Sequence, residues 1–308
     1  MSGAFAIERL ERAGGTVVDA GRRVVRQSLR DDVLGLSAEL SYHFFLALFP
    51  FAIFVTTLGG SLAGALPIEN PAQRAVEVLG DVLPQEAAAL VEGQLEAIID
   101  GSSAGLLSIG AVLALFFATG GTNAIIKAMN RTYSVPESRP IWKRYLVALG
   151  LTVVSGLGLV AAFTLAVPLR ILGPQIASAI GLGGISLLLV NVAFALGALT
   201  LLVVAAAIVY RVAPNTRLPI KAVLPGAFLF ALAWMVAAFG FGIYVSDFAA
   251  YANFYGALAG VVVMLLFFYI SSLILLVAAE VNEVIQEMAA PDDVEQRRRE
   301  ARESPAGV

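Results

Sequence analysis

Residues 38–54 read AELSYHFFLALFPFAIF, in which Glu39 and His43 stand four apart and so share one face of a helix. A carboxylate beside the chain's only histidine is a pair able to carry protons near neutral pH. Pro50 follows, removing a backbone donor and leaving the Leu46 carbonyl without its usual partner. Two readings compete. One is a kinked, hydrated entrance served by the Glu–His pair. The other is interfacial anchoring by Tyr42 and His43, with a proline kink that only shapes packing.

Further along, GTNAIIKAMNRTYSVPESRPIWKR sets Asn123, Lys127, Asn130 and Arg131 on one face of a helical extension and Ile125, Ile126 and Met129 on the other. In AAEVNEVIQE, Glu280, Glu283 and Glu287 also share a face. These basic and acidic stripes can pair as a structural ion network, or line a polar vestibule that receives a headgroup or solute. The stretch YRVAPNTRLPIKAVLPGA contributes Arg211, Asn215, Arg217 and Lys221. Pro214, Pro219 and Pro225 prevent a continuous helix there, and Asn215 is a natural turn residue. Its cations either hold the loop to anionic lipid or attract an anionic substrate.

Several chemistries are excluded. There is no cysteine, which removes disulfides, thiolate catalysis and zinc–sulfur sites. A single histidine argues against most metal enzymes, so no metal or cofactor is expected. No GxxxxGK[ST] loop is present, so any transport is not driven by ATP bound to this chain.

The solvent of these residues follows from composition. Of 308 residues, 59% are hydrophobic and 14% charged, with a mean hydropathy of +0.85. Globular domains are about 45–50% apolar and about 25% charged, so the surplus needs hydrocarbon around it. Six runs reach the roughly 20 residues a bilayer requires, at about 44–66, 104–122, 146–171, 183–210, 222–245 and 256–279. Their length and lack of alternation make them helices. The expected fold is therefore an all-α, polytopic membrane bundle of six transmembrane helices.

Arginine and lysine fix its orientation. The N-terminal segment 1–43 holds six arginines, whereas 67–103 holds Arg74 against seven acids. Connections 123–145 and 211–221 and the tail 280–308 carry five, three and four Lys or Arg residues; 172–182 and 246–255 carry none. The alternation puts both termini in the cytoplasm. MSGAFAIERLERAGG carries charge but lacks the apolar core of a cleavable signal.

Two amphipathic interfacial helices are expected. Before the first span, Val17, Val18, Gly21, Val24, Val25, Ser28 and Leu29 oppose Asp19, Arg22, Arg23, Arg26 and Arg30. This arginine face suits anionic headgroups; alternatively, the helix packs on the bundle. Between the first two spans, Pro84 starts a segment with Glu86, Glu92, Glu96 and Asp100 toward water. The charged tail PDDVEQRRREARESPAGV is expected to be frayed. GxxxG pairs at Gly60/Gly64 and Gly256/Gly260 suit close packing inside the bundle and are compatible with a homo-oligomer.

LSYHFFLALFP, GTNAIIKAMNRTYSVPESRPIWKR, YRVAPNTRLPIKAVLPGA, YVSDFAAYANFYGALAG and LILLVAAEVNEV together resemble the YihY/BrkB family of six-span bacterial inner-membrane proteins, long mislabelled ribonuclease BN. The resemblance runs from about residue 29 to 285. Ala279 stands where the family commonly has glycine before the glutamate, and phenylalanine (Phe267 or Phe268) replaces a frequent tryptophan. The resemblance implies architecture, together with an association with serum resistance and envelope lipid export. Ribonuclease chemistry is rejected, because cleavage needs metal-binding carboxylates or histidines beside a basic RNA groove. The expected function is a transporter or flippase-like exporter of an amphiphilic, anionic envelope component or metabolite. Membrane lipids are its expected partners and nucleic acid is not. Glu39, His43, Asn123, Lys127, Asn130, Arg131, Arg211, Asn215 and Glu280 are its candidate substrate and proton path. The alternative is a scaffold for envelope integrity, in which the same residues are ion pairs.

Overall fold

The computed structural model describes residues 18–48, 104–155, 185–216, 218–255 and 257–303. Every regular element among them is a helix. In chain order these are α1 (18–30), α2 (Val33–Leu48), α3 (Ala104–Thr132), α4 (141–155), α5 (Ile185–Val212), α6 (Ile220–Tyr255), α7 (Ala257–Ala289) and α8 (Pro291–Glu303).

Local chemistry sets the breaks between them. Asp32 adopts a left-handed backbone, φ 56°, between α1 and α2. Aspartate tolerates that region, and its carboxylate accepts the Gly35 N–H at 3.3 Å, capping α2. At the end of α3, Ser134 is left-handed, φ 49°. There Val135 N–H returns to the Asn130 carbonyl (2.8 Å) and Ser134 N–H to that of Arg131 (3.0 Å). That pair of bonds is the usual way a helix closes its last carbonyls.

Among the described residues three helices are long and apolar enough to cross a membrane, over Ala195–Val212, Ile220–Val245 and Gly260–Ala289. In hydrocarbon the backbone must satisfy itself, which a helix does internally. α6 packs most extensively on α7 and also meets α5, while α3 and α8 meet α7. The core gathers at one end of the bundle, around Leu40, Ile126, Met129, Tyr133, Tyr210, Val223 and Leu276. There the Tyr210 hydroxyl donates to the Leu275 carbonyl at 2.8 Å, tying α5 to α7. Away from that end the apolar side chains face outward. Phe228, Leu232, Val236, Phe239 and Ile243 form an exposed stripe along α6, with Val236 at 73% and Phe239 at 75% exposure. Water would penalise such a stripe; lipid is its natural neighbour.

Several expectations are corrected. The helices outlast the hydrophobic runs, because polar caps and side chains replace lipid as partners: α3 continues to Thr132 and α7 to Ala289. Pro225 does not break the chain's helix but lies inside α6, in its second turn. The tail is not frayed over Pro291–Glu303, which is helical because Val294 buries against the bundle and Arg297 reaches Glu283. Pro50, Arg217, the outer segment 67–103 and the 146–171 run beyond residue 155 lie outside the described residues.

Candidate functional site

Two polar groups at the core end of the bundle are fully engaged. The first joins the loops after α3 and α5. The Asn215 N–H donates to Asn130 Oδ1 at 2.7 Å, and Asn215 Nδ2 donates to the Pro136 carbonyl (3.0 Å) and Ser138 Oγ (2.7 Å). Asn130 Nδ2 donates to Glu137 at 2.8 Å, and Arg139 grips both oxygens of Glu137 at 2.8 Å while donating to the Ala213 carbonyl at 3.0 Å. Partial burial alone would raise the Glu137 carboxyl. The hydrogen bonds and charge of Arg139, with Asn130, override it and hold the group below the usual carboxylate range.

The second group centres on Asn282, on α7. Its Oδ1 accepts the Gly226 N–H at 2.7 Å, and its Nδ2 donates to the Val223 carbonyl (3.2 Å) and the Tyr133 hydroxyl (3.3 Å). One amide thus pins α6, α7 and the end of α3 together. A Cβ on Gly226 would collide with the Ala278 carbonyl and the Asn282 amide. A close contact of α6 with α7 therefore exists here, with the glycine supplied by α6. Burial pushes the Tyr133 phenol well above its ordinary range, the Glu283 charge adds to this, and the Asn282 hydrogen bond and Arg297 oppose it.

Beside Asn282 lie three buried acids: Asp31, Glu280 and Glu283. They are met from α1 and the tail. Glu283 takes Arg297 Nη2 at 3.3 Å, and Asp31 has Arg30 at 3.6 Å. At the rim, Glu287 has Arg23 at 4.0 Å and accepts from Gln27 at 2.8 Å. Asn123 and Asn130 are buried while Lys127 and Arg131 are exposed, because the last turns of α3, over 121–132, leave only the narrow row carrying those two cations exposed.

Glu280 differs from its neighbours. It is 0% exposed, yet neither carboxyl oxygen has a hydrogen-bond partner. Thr132, from α3, lies beside it, near enough to act on it, but its hydroxyl is likewise unpartnered. The same holds for Asn123 Oδ1, Ser272 Oγ and Thr119 Oγ1 on the facing helices α3 and α7. Native interiors leave few such groups.

The remaining predicted residues are spread around this centre. Glu39 is exposed on α2 and His43 is half-buried, its ring edge-on to Tyr42 at 6.0 Å. Arg211 and Lys221 are exposed, as are Arg22, Arg23, Arg26 and Arg30 on α1. Val18, Val25 and Leu29 of α1 are exposed too, so the bundle does not cover that apolar row. Among the described residues no group of three or more His, Asp or Glu side chains is placed to hold a metal. Sequence reasoning missed Gly226, Asn282, Asp31, Tyr133, Glu137, Arg139 and Arg297. Asn282 alone carried a signal, as an amide between two glutamates in a membrane helix.

Comparison with known proteins agrees with this architecture. The family profile Virulence factor BrkB matches residues 24–303. A Bacillus subtilis (strain 168) protein named YfkH and described as ribonuclease-like is 33% identical over 227 residues, 73% of this chain and 80% of that one. A UPF0761 membrane protein of Alkalilimnicola ehrlichii is 29% identical over 247 residues, and one of Xanthomonas axonopodis pv. citri (strain 306) is 27% identical over 263. Those alignments cover 79% and 82% of this chain but only 52% and 57% of the relatives, so the chain spans about half the length of these longer proteins. No solved structure matches. With an apolar helical bundle in hand and a family match that leaves only the two ends of the chain uncovered, the chain belongs to the YihY/BrkB (virulence factor BrkB) family of membrane proteins.

Proposed function

We propose that this protein crosses the bacterial inner membrane six times, with both termini in the cytoplasm, and moves an anionic, amphiphilic envelope component or metabolite across it. The observation that carries the reading is the sorting of charge at the core end. Lys127, Arg131, Arg211 and Lys221 are exposed, whereas Asp31, Glu280 and Glu283 are buried. An anionic headgroup arriving from the cytoplasm meets cations first, and the apolar α6 stripe is a surface on which acyl chains can lie. Helix α1 rests in the headgroup layer, its uncovered Val18, Val25 and Leu29 toward lipid and Arg22, Arg23, Arg26 and Arg30 toward phosphates. A proton or ion gradient, or facilitated movement, supplies the drive. No catalytic role is assigned: the ribonuclease-like description belongs to the Bacillus relative.

A scaffolding role is the second reading, favoured by the complete engagement of Asn130 and Asn215 in joining two loops. The two separate experimentally. Reconstituted protein is assayed for movement of a fluorescent anionic lipid between leaflets, as wild type and as Lys127→Ala, Arg131→Ala and Arg211→Ala. Loss of movement with unfolding shifts within about 0.5 kcal/mol, the usual span for exposed sites, supports transport. Normal movement in all three variants removes the cationic rim from the mechanism. Wild-type protein that moves no anionic lipid, in cells whose lipid and metabolite pools do not change with its presence, favours the scaffold.

A further inference from the structure

Among the described residues, several of the buried polar atoms without a partner, on Thr119, Asn123, Thr132, Ser272 and Glu280, lie on the two helices α3 and α7. Two contact levels set α3 beside α7. Phe44 of α2 packs on Gly121 (3.5 Å to an ideal Cβ) and against the Phe268 ring at 6.0 Å. Lower down, Asn282 bonds Tyr133, 149 positions away in sequence. Both helices therefore run the same way, and the shared offset brings Asn123 level with Ser272 and Thr132 near Glu280. Ile126, Met129 and Leu276, each 0% exposed, fill the space between these two polar levels.

Held as a carboxylate, Glu280 would lack solvent, a hydrogen bond and an ion pair of its own, which costs several kcal/mol in a protein interior. Every charged group packed near it already has other work. Asp31 and Arg30 face it from the α1–α2 turn, Glu283 from α7, and Arg297 is spent on Glu283 from α8. Tyr133, at the end of α3, is bonded to Asn282. The Thr132 hydroxyl, 1% exposed, lies beside it with hydrogen-bonding capacity to offer. We infer that Glu280 is a proton-binding site: its carboxyl holds an exchangeable proton, with Thr132 as the hydrogen-bonding partner and the Asn123–Ser272 level as the next polar station beyond an apolar plug. Ionisable groups sealed inside membrane bundles serve this purpose in proton relays. Exchange takes place on the side of the bundle where Asp31 and Arg30 sit.

The inference deepens the transport reading by naming a coupling ion, but its test involves no cargo, so the two can fail separately. Infrared spectra of the purified protein are compared with those of Glu280→Gln and Glu283→Gln at neutral pH, in H2O and D2O. A carboxylic-acid C=O stretch that shifts in D2O, is lost in Glu280→Gln and persists in Glu283→Gln supports the site. Thr132→Ala should then move that band to higher frequency. A spectrum without the band from mildly acidic to mildly alkaline pH, or a band that survives in folded Glu280→Gln, overturns it. Should Glu280→Gln not fold, wild type is treated with a hydrophobic carbodiimide and the adducts are mapped by mass. An adduct on Glu280 that forms faster as pH falls supports the proton; its absence from Glu280 overturns the inference.

Discussion

Replacing Asn282 with alanine removes three hydrogen bonds at once, to Gly226 N–H at 2.7 Å, the Val223 carbonyl at 3.2 Å and the Tyr133 hydroxyl at 3.3 Å. In aqueous proteins each such bond contributes about 1 kcal/mol net; between membrane helices the measured mean is nearer about 0.6 kcal/mol. Three bonds therefore give about 2–3 kcal/mol. The 0% exposure of Asn282 argues for the upper half, because water cannot replace the lost amide. The measurement is unfolding of the purified protein in mixed micelles with increasing denaturing detergent, for wild type, Asn282→Ala, Tyr133→Phe and the double variant. Tyr133→Phe removes one long bond, so the cycle should return a coupling of about 0.6 kcal/mol, well below the full effect of Asn282. A loss under about 0.5 kcal/mol for Asn282→Ala would show that the amide does not pin α6 to α7. A coupling as large as the whole effect would move the anchor from Gly226 to Tyr133.

Three further outcomes follow from the same geometry. Gly226→Ala places a methyl against the Ala278 carbonyl, which belongs to backbone and cannot swing aside; it should cost at least the 1–3 kcal/mol typical of overpacking, read in the same unfolding assay. Arg297→Ala leaves Glu283, 1% exposed, without its tail partner. A fully buried pair loses about 3–5 kcal/mol when broken, but Arg297 keeps some solvent, so about 2 kcal/mol is expected, with partial rescue by Glu283→Gln. The Glu137 carboxyl sits below its ordinary range when folded, so its contribution to stability is present above the unfolded value, about 4.3, and fades as pH falls through the folded one. Thermal unfolding of wild type and Glu137→Gln should therefore differ at neutral pH and converge in acid; a constant gap would refute the Glu137–Arg139 assignment.

Hydrophobic run length read directly into the long helices, because period and composition alone decide what lies in lipid: α5, α6 and α7 cover three of the runs. What escaped the sequence were contacts between distant positions. Asn215 had the look of a turn residue, and nothing in its neighbourhood says that it meets Asn130, 85 positions earlier. The charged tail carried the composition of a disordered segment; a single valine, Val294, and one arginine for a buried acid are enough to dock it. The candidate residues were chosen by type and helical face, and that selects rows without telling which side of a helix the neighbours occupy. Lys127 and Asn123 came from one row and ended on opposite sides of the core boundary.

That boundary bears on which polar residues do something other than hold the bundle. Polar groups that build architecture are recognisable by being satisfied: Asn130, Asn215, Asn282, Glu137 and Arg139 each reach their partners at 2.7–3.3 Å. Evolution has no structural reason to leave a sealed glutamate, threonine, serine and asparagine short of partners along one seam when Asn282, two residues from Glu280, makes three bonds. Unmet hydrogen-bonding capacity of that kind destabilises the bundle and persists where the groups bind something else. What sets this bundle apart is therefore not charge at the rim, which lipid alone would explain, but the sealed pairing of Glu280 with Thr132. A variant that removes the buried carboxyl at similar volume, such as Glu280→Leu, should raise stability if Glu280 is only a buried cost, and should abolish function while doing so if its carboxyl is what the bundle is built around.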